Sequence, residues 1–324
     1  MKLQTEVLVT KSKFEINHRH KIISIGSCFS EHVGDKFKTS KFNILLNPFG
    51  QLYNPVSIAN SIDLALEGKV YEESDLFFHL GRWHSFDHHS DYSDTNKETV
   101  LSRINNEIQA LKSFIIDMDV MFITFGTSFY FHNIDLGKDV ANCHKLPNKE
   151  FEQKMISVEA VTNRFNLLLS KLSELNPKAK FVFTVSPIRY FTFGNFENNV
   201  SKSVLFLAIE DLLKKNLNTS YFPSFEIIMD ELRDYRFYNH DMIHPNQTAI
   251  DYVWERIGNT YFSNETLVMI KEIKQIVKDA NHRPFNPNSY DHSVFKVKAI
   301  DKLNSLLDRH PFLNFDEEIA KLKT

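Results

Sequence analysis

Short apolar runs separated by amphipathic stretches constrain this chain more than any other feature. Lys21-Ile22-Ile23-Ser24-Ile25, Phe42 to Leu46, Val120 to Phe125 and Lys180 to Val185 read as buried strands, with a fifth near Ser224 to Met229. Between them, Phe29, Val33 and Phe37 recur at spacing four, and Leu101, Ile104, Ile108, Leu111 and Ile115 mark a second helical face. Asn54-Pro55 supplies a cap and a first-turn proline for a helix that stops at Gly68. Further helices fall on Val158 to Leu175, on Val204 to Leu217, and on the face made by Ile250, Val253, Trp254 and Ile257. Strands apolar throughout need cover on both sides, which alternating helices supply to a parallel sheet. The expected fold class is α/β: a flavodoxin-like three-layer α/β/α sandwich with a five-stranded parallel sheet.

After about Tyr261 the strand signal stops, Asn281 to Asp291 reads as a linker, and Val294 to Lys323 as one or two helices. The expected division is a domain over 1–262, carrying a polar His- and Asp-rich insertion at about 70–100, and a C-terminal helical extension over 263–324. Thr127 to Asn148 reads as a long loop. The 29 phenylalanines promise an aromatic core. Only 9 glycines occur, and Gly26, Gly50, Gly126 and Gly194 stand where strands end or turn.

The charge balance, 38 Lys+Arg against 41 Asp+Glu, gives neither a nucleic-acid footprint nor attraction to an anionic membrane. No apolar run approaches the roughly 20 residues of a membrane span, and the start has no uninterrupted apolar segment of a secretory signal. Two cysteines, Cys28 and Cys143, make no disulfide framework and suit a reducing compartment, so a cytoplasmic location is expected. Neither G-x-x-x-x-G-K-[ST] nor G-x-G-x-x-G is present, and no cofactor is expected.

In an open parallel sheet, ligands bind on the loops after the carboxyl ends of the strands. Ser27 and Cys28 lie there, at the first turn of a helix, where unpaired N–H groups and the helix dipole lower a thiol's pKa and offer donors to an oxyanion. The same pair also reads as a Ser cap followed by a small buried Cys. Asp241 and His244, separated by two residues on a late loop, allow a carboxylate to fix an imidazole tautomer, or simply to cap the helix that Pro245 begins. Arg189 and Lys145 are candidates to clamp an anionic part of a substrate, or else surface charges. His84, His88 and His89 read as part of a solvated loop able to close as a lid. Cys143-His144 lacks the ligand spacing of a zinc site, so no metal is expected.

Gly26-Ser27-Cys28-Phe29-Ser30, Asn47-Pro48-Phe49-Gly50, Tyr53-Asn54-Pro55, Asn142-Cys143-His144-Lys145, Ser186-Pro187-Ile188-Arg189, Asp230 to Tyr238 and Asp241-x-x-His244-Pro245 follow one another in order. Together, over about residues 20–260, they resemble the GSCFA-domain family of bacteria, relatives of the SGNH/GDSL hydrolases. Ser30 stands where the family name implies Ala. The resemblance implies a hydrolase or acyltransferase acting on esters, with the superfamily's nucleophilic Ser replaced by Cys28 and the Asp before it by Ser27. It implies Gly50 as an oxyanion donor and Asp241 with His244 as the closing pair. The usual Gly-x-Asn becomes Gly126-Thr127-Ser128, so the missing donor falls to Thr127, Ser128 or Asn142, and His144 joins Lys145 and Arg189 as a substrate contact.

The leading expectation is an SGNH-like esterase or acyltransferase using Cys28 or Ser27 on an O-acyl ester, an acylated sugar among the candidates. A ligand-binding module that has lost hydrolysis is the second, motivated by the absent Asn. A metal-dependent hydrolase is the third.

Overall fold

The computed structural model describes residues 5–286 and 289–323. Strand β1 (Lys21–Gly26) leads into α1 (Cys28–Thr39), and β2 (Asn43–Leu46) into α2 (Pro55–Glu67). A hairpin, β3 (Phe77–His79) and β4 (Arg82–His84), precedes α3 (Lys97–Asp117) and β5 (Val120–Phe125). Then come β6 (Phe129–Asn133), β7 (Lys138–Val140), β8 (Phe151–Met155), α4 (Val158–Leu175), β9 (Lys180–Val185), α5 (Asn195–Lys215) and β10 (Thr219–Tyr221). A short α6 (Ser224–Glu226) runs into a π-helical turn, Ile227–Glu231, before α7 (Gln247–Tyr261). The chain closes with α8 (Asn264–Ala280), α9 (Tyr290–Arg309) and α10 (Asp316–Lys323).

The main sheet has the order β10-β9-β5-β1-β2, and every pairing in it is parallel. Counted along the chain this is the flavodoxin-like order, with β1 at the switch point between outward-running halves. Alternate residues of each strand serve opposite layers. Ile23, Ile25, Ile123 and Phe125 pack under α2 to α5, against Ile58, Ile104, Phe165 and Leu205. Ile22, Val120 and Phe122 face the other way, onto Phe29 and Phe37 of α1 and Ile250 and Val253 of α7. The expected three-layer sandwich is therefore the observed one.

The fifth strand is not at Ser224 to Met229. Thr219–Tyr221 pairs with Phe181–Phe183 instead, and the apolar run beyond it is helical. Pro223 opens that helical segment, and Ile227 and Ile228 sink into the α1–α7 layer, where a helical turn buries both. Helix α5 begins at Asn195, about two and a half turns before the helix expected from Val204, because its first turns carry mostly polar residues. The expected loop, Thr127 to Asn148, contains β6 and β7, which with β8 just beyond it form a three-stranded antiparallel sheet of order β7-β6-β8. Its strands are half-buried and do not alternate cleanly, which hides them from periodicity.

The polar insertion is folded rather than solvated. Leu80 and Gly81, with φ of 46° and 77°, make the tight turn of the β3–β4 hairpin, the primed geometry that matches strand twist. His88 is 0% exposed and stacks on Phe49 at 4.4 Å between ring centroids, its Nδ1 2.9 Å from Ser85 Oγ. His84 lies against His144 at 4.5 Å between centroids and bonds Ser93 Oγ and His79 O, while His144 Nε2 bonds Ser85 O at 2.8 Å. Burial holds His88 down to about 3 and His144 down to about 4. Both are therefore neutral when folded and charge in the unfolded chain near pH 6.5, so their contribution is complete above that pH and fades as pH falls toward 4. Urea unfolding at pH 7 and pH 5 should differ by about 2 kcal/mol for each of these histidines. A His88→Gln variant should lose part of that difference, and equal stability at the two pH values would contradict the burial argument.

Helices α8 to α10 enclose their own apolar cluster, including Ile273, Leu303, Leu306 and Phe315. Lys41 and Glu318, 2.7 Å apart, tie that cluster to the sandwich. Among the described residues, no helix is long and apolar enough to cross a membrane.

Candidate active site

A cavity of about 640 Å³ opens beyond the carboxyl ends of the main strands. Ser27 and Cys28 enter it from the end of β1, Tyr53 and Asn54 from beyond β2, Gly126 and Thr127 from β5, and Ile243 and His244 from the loop before α7. The opening turn and the late imidazole thus share one wall-lined space, as the sequence led one to expect.

The local geometry explains why. Gly26 takes φ of 147°, and an added Cβ would lie 2.3 Å from Thr124 O, so the chain leaves β1 where only glycine fits. Both backbone groups of Gly26 are held by the next loop: its N–H donates to Asn47 Oδ1, and its carbonyl accepts from Leu52 N. Tyr53 O accepts from both Gly126 N and Thr127 N at 2.8 Å, which staples the loop after β2 to the loop after β5.

Cys28 begins α1, half-buried, and the backbone N–H groups of Cys28 and Phe29 favour its thiolate. The expected lowering of the thiol pKa is not observed. Burial outweighs those N–H groups and pushes the thiol up to about 11. Ser27 is almost sealed, its Oγ without a hydrogen-bond partner among the described residues, and it does not cap α1 through its side chain.

Asp241 bonds the imidazole as the spacing implied. Its Oδ2 is 2.7 Å from His244 Nδ1, and its Oδ1 accepts from the N–H groups of Ile243 and His244 at 2.9 Å each. Those two N–H bonds and the imidazole hold the Asp241 carboxyl down to about 2. Nε2 of His244, a residue that lines the cavity, has no protein partner among the described residues.

Two residues of the site were not anticipated as such. Asn54 caps α2 with its Oδ1, 2.9 Å from Ser57 N, so its Nδ2 is left over in the cavity wall. Lys202 is 3% exposed on α5, and its Nζ donates to Gly126 O and Ser186 O at 2.6 Å each. No carboxylate among the described residues lies within ion-pair distance of it. Burial pushes the Lys202 amine down to about 7, and its charge and that of a Cys28 thiolate stabilise each other. Extending the apolar face of α5 one turn back through Ser201 and Asn198 would have placed Lys202 on the buried side.

Residues 21–257 match the GSCFA family. The chain belongs to that family. Residues 273–324 match the family described as the C-terminal domain of GSCFA domain proteins, and no curated protein matches the chain. All the cavity residues named above fall within the first GSCFA match.

Several residues quoted from the GSCFA motifs hold the fold and stand outside the cavity lining. The Gly50 N–H donates to Asn47 O at 2.7 Å inside a tight turn, under His89, and so is spent. Ser128 is fully buried with its N–H on Ser201 Oγ. Asn142 bonds Ser90 Oγ and accepts from His144 N. His144 belongs to the buried histidine cluster, and Lys145 is exposed. Arg189 does line the cavity, bonded to Asn199 Oδ1 and set over Phe191. Among the described residues, no group of three or more His, Cys, Asp or Glu side chains is placed to hold a metal ion.

Proposed function

We propose that this GSCFA protein is an esterase or acyltransferase of SGNH type, acting on an O-acyl ester through Cys28. The observation that carries the reading is a thiol at a helix N-terminus and an Asp-oriented imidazole in one cavity. Because the thiol is protonated at neutral pH, His244 Nε2 takes its proton as Sγ bonds the acyl carbon. The backbone N–H of Cys28 and Asn54 Nδ2 receive the oxyanion, Asn54 replacing the Asn missing after Gly126. Collapse breaks the C–O bond, and Nε2 returns the proton to the leaving alcohol. Water, or a second alcohol, then attacks the thioester, giving its proton to Nε2 and restoring the thiol. Incubation with a p-nitrophenyl ester and acid quenching should leave one acyl group on the peptide holding Cys28. Turnover with label found only elsewhere would refute the assignment.

Lys202 supports this reading from behind. Its positive charge, held below about pH 7, favours the Cys28 thiolate, so Lys202→Met should slow iodoacetamide alkylation of Cys28 at pH 6 severalfold, measured by peptide mass spectrometry with Cys143 as the internal reference. Unchanged alkylation in a folded variant would remove Lys202 from the site's electrostatics.

The raised thiol pKa favours a second reading, a ligand-binding module on the same fold. Saturable ligand binding without turnover of any acyl ester distinguishes it.

A further inference from the structure

We infer that the acid portion of the substrate is an apolar chain longer than acetyl, held in the phenylalanine-walled part of the cavity; this deepens the ester reading above and rests on it. Beyond Cys28 the walls are Phe129 and Phe131 of β6, together with Ile188, Phe191 and Phe193 on the loop after β9. Phe193 packs on Phe129 at 4.8 Å and near Phe131 at 6.3 Å between centroids, so the two segments form one aromatic surface. A volume of about 640 Å³ sits within the range of pockets that enclose ligands of many heavy atoms and is far larger than an acetyl group.

Several polar side chains of the lining are occupied by the protein. Thr127 Oγ1 is bonded to Ser201 Oγ and to Phe129 N, Ser186 Oγ accepts from Ile188 N, and the Tyr53 hydroxyl donates to Gln51 Oε1. Arg189 bonds Asn199 through one terminal nitrogen, and its Nε has no partner among the described residues. Ser27 Oγ, Asn54 Nδ2 and His244 Nε2, without partners among the described residues, belong to the reacting end, while Tyr190 and Thr192 are exposed. A sugar placed among the phenylalanines would lose water and gain few hydrogen bonds, whereas a hydrocarbon chain loses nothing it needs. Groups able to hold a hydroxylated alcohol lie next door. A second cavity of about 460 Å³ shares Arg189, Phe191 and Ile243 with the first and presents Asp230, Arg233 and Tyr235.

The experiment compares p-nitrophenyl acetate with p-nitrophenyl octanoate, and sodium octanoate binding to Cys28→Ala protein. Each buried methylene is worth about fourfold, so kcat/KM should rise by at least about a hundredfold from acetate to octanoate. Phe131→Ala and Phe193→Ala, two half-buried positions outside the apolar clusters, should each cut that ratio about tenfold or more and weaken octanoate binding. Acetate turned over as fast as octanoate, with no octanoate binding, overturns the acyl-chain assignment while Cys28 stands. Octanoate binding that both variants weaken, in a protein that turns over no ester, upholds the apolar site and overturns the catalytic reading instead.

Discussion

Cys28→Ala should reduce turnover of an activated acyl ester by about 10⁴-fold or more, with His244→Ala close behind and Ser27→Ala costing less than about tenfold. The ordering follows from the geometry around the turn. Cys28 has the first N–H groups of α1 beside its sulfur, whereas the Ser27 hydroxyl is sealed without a partner among the described residues. The two single losses should also not add. A nucleophile with no base and a base with no nucleophile are comparably disabled, so the double variant should resemble Cys28→Ala alone. Full activity in Cys28→Ala with loss in Ser27→Ala would move the nucleophile by one residue; activity in both would end the covalent mechanism. Circular dichroism separates these results from misfolding, since neither side chain contributes to the apolar clusters.

The second large effect is at Asn54, where one side chain serves two ends. Its Oδ1 caps α2, and its Nδ2 is the donor assigned to the oxyanion. Aspartate caps helices as well as asparagine does but has no amide to donate. Asn54→Asp should therefore leave the melting temperature nearly unchanged while lowering kcat by about 10² to 10³-fold. Asn54→Ala should show the same kinetic loss together with about 1 kcal/mol of destabilisation. An Asn54→Asp protein with undiminished kcat would withdraw Asn54 from the oxyanion site and leave only the cap.

The sandwich was legible because its buried strands are continuous apolar runs and its helices keep a regular face. What escaped notice was structure built from mixed side chains. Thr219–Tyr221 is an edge strand without an apolar run, and the β6–β8 sheet is half-buried. The pair Asp241 and His244 could be read because three-residue spacing nearly fixes their geometry. The oxyanion candidates could not, since whether an N–H is free depends on tertiary partners: Gly50 spends its own on Asn47, and Asn54 keeps Nδ2 only because a single oxygen satisfies the cap. The histidines at 84 and 88 looked soluble by composition, yet Ser85, Ser93 and Phe49 supply bonds and stacking that let neutral imidazoles be buried. Thiol acidity was misjudged for a related reason. Proximity to a helix end is visible in sequence, but the depth that opposes it is not.

The carbonyl of Tyr53, gripped by the amides of Gly126 and Thr127, fastens the loop that carries Asn54 to the end of β5, just ahead of the aromatic strand β6. On the proposed reading, the attacking groups and the acyl-chain wall are carried by different segments. Exchanging side chains on the bordering strands should retune which acids are accepted without disturbing the attack itself, making those strands the natural place to begin redesign.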